Sequence, residues 1–305
     1  TTGCNNTASG YGAMYSNTTG CNNTAMGDCA LHDNTTGCLN VAIGRQALVN
    51  NTTANQNTAV GACAMYINTT GTQNAALGYL SLFTNSTGSH NSALGLRSLQ
   101  NNTTGYANVA VGTCALLSTT TGPNNVAVGF ESLKANTTGD SNNAIGRQAL
   151  LSNTSGCYNE AHGYAALEDN TTGCFNIGIG LGALRCNTTA SNSTAVGACS
   201  LYANTTGADN TAVGFKALKA NTTACYNTAV GNYSLQANTT GANNTATGFY
   251  ALLSNTTGDL NTASGGYALC ANTTGCRSTA VGFQALLKAT TGGFNTAVGT
   301  YAANQ

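Results

Sequence analysis

Charge is what this chain of 305 residues has least of: Asp, Glu, Lys and Arg make up 6% of it, nine basic residues against nine acidic. That scarcity removes the positive stripe that a nucleic-acid-binding surface needs, and the basic face of a helix lying on a membrane. No apolar run approaches the roughly 18 residues of a membrane-spanning helix. No Cys-x-x-Cys pair occurs, and His32, His90 and His162 fall at different places in the internal repeat, so ligand spacing offers no metal site. A secretory leader and an initiator Met are lacking too, from which Thr1 is expected to open a mature or cut product. The resulting expectations are no nucleic-acid partner, no membrane insertion, no cofactor and no enzyme.

What the chain has in quantity is one short unit. Thr120 to Asn136, seventeen residues, recurs eighteen times in phase from Thr1 without an insertion, and the last copy stops one residue short at Gln305. A strict period of this kind predicts a single solenoid domain over 1–305, with 18 coils of 17 residues stacked on one another. Position 10 is Gly in every copy, as at Gly44, Gly129 and Gly214. Position 8 is Ala except at Gly178, and position 13 is Ala or Ser. Position 14 is Leu, as at Leu48, Leu133 and Leu218, or Met at Met14 and Met65, until Ala303 ends the rank. Position 17 is Asn except at Thr119 and Ala289.

Positions 10, 13, 14 and 17 are spaced i, i+3, i+4, i+7, which predicts one face of a short helical segment, with charges such as Arg45, Lys134 and Lys216 on the variable side. Positions 6 to 9, typically Asn-Thr-Ala-Val, predict a short strand with the Ala on one side and positions 7 and 9 on the other. The expected fold is a repeat solenoid with one short parallel β-strand and one short helical turn per coil. The alternative is an all-β parallel solenoid. Stacked helices need about 8–10 Å and stacked strands about 4.8 Å, so a straight stack would turn the second segment into a compact turn. One coil buries too little to fold alone, and stability is expected to come from its neighbours.

Seven cysteines, including Cys4, Cys21, Cys38, Cys157 and Cys174, hold position 4, and four hold position 12. On a ladder of about 4.8 Å, Cys4–Cys21 or Cys21–Cys38, and Cys157–Cys174, are candidate axial disulfides; free thiols acting as small hydrophobes are the other reading. Asn17, Asn34, Asn136, Asn204 and Asn238 each begin an Asn-x-Thr acceptor for N-glycosylation. The competing reading is an Asn ladder that satisfies corner backbone groups, and it is the one favoured by their membership of the constrained face. Threonine ranks at positions 1 and 2 suggest either ice binding or closure of a turn, and the position-7 rank is broken at Val41, Asn143, Glu160 and Ile177. Aromatic residues gather at positions 5 (Tyr158, Phe175, Tyr226, Phe294) and 11 (Phe130, Tyr164, Phe215, Phe249, Phe283) as packing or sugar-stacking candidates. Glu160, His162, Glu168 and Asp169 form a titratable cluster with no nucleophile arrangement.

Asn40-Val-Ala-Ile-Gly44, repeated as Asn108 to Gly112 and Asn125 to Gly129, resembles the Val-Ala-Ile-Gly motif in head repeats of trimeric autotransporter adhesins. Asn210 to Leu218 is similar to repeat arrays of phage and large-virus tail-fibre proteins. The resemblance implies a parallel β-roll, often trimeric, that serves as a surface fibre and binds host matrix or cell surfaces. The chain departs from the adhesins in its seventeen-residue period, its Ala-Leu segment and its lack of a coiled-coil stalk. The expected role is a structural subunit of an extracellular or virion-surface fibre, partnered by itself through coil stacking. The alternatives are an adhesin for a cell-surface glycan or receptor, and an ice-binding solenoid.

Overall fold

The computed structural model describes residues 2–304. Among them are eighteen strands of three residues, one per repeat at positions 7 to 9, and no helix. The chain divides into two compact units, Thr1–Ser155 and Gly156–Gln305. In the first, β1 (Thr7–Ser9) to β9 (Asn143–Ile145) pair in chain order as a parallel ladder. In the second, β10 (Glu160–His162) to β18 (Thr296–Val298) do the same. Register is one whole repeat, Ala25 opposite Ala42 and Ala212 opposite Ala229. Each unit is an all-β parallel solenoid.

The strands follow from alternation. Ala at position 8 points inward and is fully buried at Ala42, Ala127 and Ala212, while positions 7 and 9 face out. Only a small residue suits position 8, because the Leu of position 14 fills the rest of a narrow coil; Leu48, Leu133 and Leu218 are fully buried. The glycine of position 10 ends each strand. Gly129 has φ 135°, and a Cβ there would lie 2.6 Å from the carbonyl oxygen of Gly146 in the next coil. Both the conformation and the contact require glycine.

The short helical turn expected after that glycine does not form, and the all-β alternative holds. From position 10 to 17 the chain makes successive turns, with N–H to C=O bonds such as Ala47 to Gly44 (3.3 Å) and Asn51 to Leu48 (3.2 Å). Positions 12 and 14 are left-handed, as at Gln46 (φ 58°) and Leu48 (φ 49°), and again at Lys216 (φ 55°) and Leu218 (φ 50°). The physical reason lies in the axial bonding. The N–H of Leu48 donates to Ala64 in the next coil (3.0 Å), and that of Gln46 donates back to Asp28 (2.8 Å). A helix would spend those groups on itself and hold neighbouring coils at helix-packing distance, about 8–10 Å, which the strand ladder forbids. The i, i+3, i+4, i+7 pattern therefore marks the residues that face inward around a tight bend. A left-handed Leu costs about 1–2 kcal/mol, and complete burial of its side chain offsets that strain.

Candidate functional site

The most heavily bonded part of each coil is the corner at positions 17, 1, 2 and 3. Asn34 donates both amide hydrogens, to the Oδ1 of Asn17 (2.8 Å) and to the carbonyl of Gly37 (2.9 Å), while its own Oδ1 accepts from Asn51 (2.9 Å). In the second unit Asn204 and Asn238 repeat the pattern toward Asn187 and Gly207 and toward Asn221 and Gly241. Asn136 donates to Gly139 and accepts from Asn153. Of the five acceptor candidates, Asn34, Asn136, Asn204 and Asn238 are fully buried, and Asn17 is half-buried with its amide on Gly20. A sugar on Asn34, Asn204 or Asn238 would replace a hydrogen already in use and would have no route out of the folded corner.

A second asparagine rank, at position 6, was legible in the sequence but is not separable there from the strand it precedes. Asn occupies that position everywhere except Ser193 and Ser278. The Oδ1 of Asn23 accepts the backbone N–H of Asn40 in the next coil (2.9 Å), and its amide donates to the carbonyl of Gly37 (2.8 Å), the same oxygen that Asn34 reaches. Two buried ladders thus clamp one carbonyl per coil. Hydroxyls at position 1 are likewise absorbed: Thr18 and Thr35 each donate Oγ1 to the position-1 carbonyl of the following coil (2.9 and 3.0 Å). Those threonines close the corner.

Position 4 explains the cysteines. Its backbone N–H donates to whatever acceptor the next coil places at position 4: Cys21 to the Sγ of Cys38 (3.1 Å), Cys38 to Asn55 (2.7 Å), Cys174 to Ser191 (3.0 Å), Ala242 to Asp259 (2.6 Å). Cys, Ser, Asn and Asp are interchangeable there as short acceptors. Among the candidate bridges, the Sγ atoms of Cys157 and Cys174 stand 2.7 Å apart and those of Cys4 and Cys21 stand 3.1 Å apart. The N–H of Cys4, and then its thiol, hold the Cys21 thiol below its ordinary value, while the bond to Cys21 raises Cys4.

Outside the ladders the chemistry is local. Glu160 and His162 sit on the outer face of β10, 3.2 Å apart, and Glu168 is engaged by the Nε of Arg185 (2.6 Å), whose Nη1 donates to the Tyr202 hydroxyl (3.0 Å). Burial, then the neighbouring Glu168, raises the Asp169 carboxyl, and the hydrogen bond to Glu168 raises the Arg185 guanidinium. The cluster is thus two separate pairs. Beside it runs an open groove of about 590 Å³, lined by residues that include Tyr202, Ala203, Lys219, Ala220, Gln236 and Leu253. No three His, Cys, Asp or Glu side chains group as metal ligands among the described residues, and no helix there is long and apolar enough to cross a membrane.

Two outer ranks stand out in the second unit. From β12 (Thr194–Val196) to β18, position 7 is Thr in seven consecutive coils, and none of these hydroxyls has a hydrogen-bond partner among the described residues. Tyrosines at position 12, outside the aromatic ranks of positions 5 and 11, pack with the position-11 phenylalanines into a continuous cluster from Phe215 to Tyr301. Compared with protein-family models and with curated proteins, the chain matches none.

Proposed function

We propose that the chain is a structural segment of an extracellular or virion-surface fibre built by the stacking of coils. The observation that carries this reading is how constancy is distributed along the repeat. Within each unit the constant ranks, Ala at 8, Gly at 10, Leu at 14 and Asn at 6 and 17, are the ones that pack or bond one coil to the next. Outward positions 11, 12, 15 and 16 change chemistry from coil to coil. A protein selected for one ligand at those positions would hold an outer cluster fixed there, and none is. The resemblance of Asn40 to Gly44 to adhesin-head repeats, and of Asn210 to Leu218 to tail-fibre arrays, is in keeping with the same reading.

Self-association is part of the proposal. Strands pair at a register of one whole repeat, Ala25 opposite Ala42 and Ala212 opposite Ala229, so a coil with the same ranks, whether from the same polypeptide or from a second copy, can stack by the same bonds. Electron microscopy of the purified chain at micromolar concentration tests it. Filaments with an axial spacing of about 4.8 Å are expected, and discrete monomers at every concentration would overturn self-assembly.

One observation favours a second reading. The seven unpartnered threonines of β12 to β18 make a regular, uncharged outer strand face suited to an ordered surface such as ice. Thermal hysteresis measured on the chain and on Thr228→Lys separates the two. Hysteresis abolished by the lysine would favour ice binding; none in either protein would remove it.

A further inference from the structure

The position-12 tyrosines Tyr233, Tyr250 and Tyr267 stand in three consecutive coils of the second unit. The rings of Tyr233 and Tyr250 are 5.0 Å apart between centroids and 12° from parallel, and those of Tyr250 and Tyr267 are 5.3 Å apart at 31°. Phenylalanines at position 11 close on them edge-on: Phe215 on Tyr233 (89°), Phe249 on Tyr250 (68°) and on Tyr267 (83°), and Phe283 on Tyr267 (83°). The three tyrosines are half-buried.

This arrangement argues against a sugar platform. A sugar ring stacks on an exposed aromatic face, and here the tyrosine faces are covered by one another while phenylalanine edges fill the flanks. What the cluster does provide is phenol against phenol at a fixed spacing. Other tyrosine rings contact different groups: Tyr158 stacks on Phe175, Tyr66 on Phe83 and Tyr15 on His32. The left-handed backbone at all three positions (φ 61°, 56° and 58°) and the axial bonds of their N–H groups to Phe215, Asn232 and Phe249 fix where the rings emerge.

We propose that Tyr233, Tyr250 and Tyr267 form an oxidative cross-linking site, at which a small one-electron oxidant joins neighbouring coils through a dityrosine bond. Each of two adjacent phenols gives one electron to the oxidant and one proton to water and becomes a phenoxyl radical. Unpaired spin at the ring carbon beside the oxygen allows the two radicals to form a Cε–Cε bond. Each coupled carbon then passes its hydrogen to its own oxygen, which restores two phenols. The net loss is two hydrogens, and a peroxodisulfate oxidant takes up the two electrons as it becomes two sulfates.

As competing sinks for the oxidant this unit holds seven thiols but no indole and no thioether. The chain has no Trp, and its three Met residues, Met14, Met26 and Met65, all belong to the first unit. The thiol closest in sequence, Cys270, is half-buried, and burial raises its pKa and keeps it in the less reactive protonated form. The inference does not depend on the fibre reading, since the cross-link lies within one chain.

The test is oxidation of the full chain by peroxodisulfate with a photo-excited ruthenium complex, followed by peptide mass mapping. Peptides joined through Tyr233–Tyr250 or Tyr250–Tyr267 with loss of two hydrogens are expected, at a yield that does not change when the protein is diluted. Tyr250→Phe keeps a ring in the stack but should abolish both products, because Tyr233 and Tyr267 are then two coils apart. Tyr233→Phe should leave the Tyr250–Tyr267 product, and Tyr226→Phe should leave both. Cross-links that instead join exposed tyrosines such as Tyr106 and Tyr226, a yield that rises with protein concentration, or an undiminished yield in Tyr250→Phe would each overturn the proposal.

Discussion

Asn102 and Thr119 occupy successive rungs of the same buried rank, and the Oδ1 of Asn102 has no donor because Thr119 brings no amide to it. The Thr119 hydroxyl is itself buried and unpartnered. Ala289 has the same effect on the rung before it, where the Oδ1 of Asn272 is left unpaired. Thr119→Asn should restore the ladder by donating to Asn102 and to the carbonyl of Gly122, as Asn34 does to Asn17 and Gly37. A gain of about 1–2 kcal/mol is expected for satisfying buried groups. Urea unfolding combined with hydrogen exchange across residues 100–125 would measure it, and slower exchange confined to that stretch is the expected sign. A destabilised Thr119→Asn would mean that the break in the rank is not a defect.

Two glycine ranks look alike by proximity and should respond differently. A Cβ on Gly129 would lie 2.6 Å from the carbonyl oxygen of Gly146, and one on Gly122 would lie 2.4 Å from that of Gly139. Only Gly129 also has a positive φ, 135°. The position of Gly122 is filled by alanine at Ala54, Ala190 and Ala224, so the corner can accommodate a Cβ there. Gly129→Ala is therefore expected to cost about 3 kcal/mol or more, through strain and overpacking together. Gly122→Ala should cost about 1 kcal/mol. Thermal unfolding of the two variants side by side would rank them.

Left-handed residues allow a stabilising change that touches nothing. Ala107 is exposed and has φ 54°. Removing its Cβ relieves the left-handed penalty of about 1–2 kcal/mol, against roughly 0.5–1 kcal/mol of added chain entropy in the unfolded state. Ala107→Gly should thus stabilise by about 0.5 kcal/mol. The midpoint of urea unfolding would show it, and a lower midpoint would contradict the assigned backbone.

Much of the fold was legible because repetition exposes constraint. Period, strand position, the inward Ala of position 8 and the glycine of position 10 could all be read from one chain. That no helical turn forms is not legible in the sequence, because inward-facing positions around a tight bend share the spacing of a helix face; Leu48 satisfies that pattern with a left-handed backbone (φ 49°) that no right-handed helix contains. Axial bonding decides between the two, and it is a property of neighbouring coils that no single repeat displays. The bonding of the Asn23 rank is not legible in one repeat for a related reason. Its partners, the N–H of Asn40 and the carbonyl of Gly37, lie seventeen and fourteen residues away. The tyrosine cluster was hidden by composition alone, since position 12 holds Glu131, Cys199 and Ala165 as readily as Tyr250.

Thiol reactivity should sort by place in the ladder. Cys21 receives the backbone N–H of Cys4 (3.2 Å) and the thiol of Cys4 (3.1 Å), both of which favour its thiolate and lower it from the ordinary value of 9.0. Cys186 and Cys270 are raised, chiefly by burial, and Cys4 is raised by its bond to Cys21. The thiolate is the form that reacts, so as pH climbs towards 9 Cys21 should be alkylated first, with Cys4 and Cys270 lagging. The sign for stability follows: a lowered folded-state pKa favours the folded chain above the unfolded value, and that contribution is lost as pH falls through the lowered one. Because the backbone N–H is the larger cause, Cys4→Ala should keep most of the advantage of Cys21. Site-resolved alkylation by mass spectrometry across pH 7 to 10 measures the order. Equal rates at Cys21 and Cys270 would mean that the position-4 bond does not hold in solution.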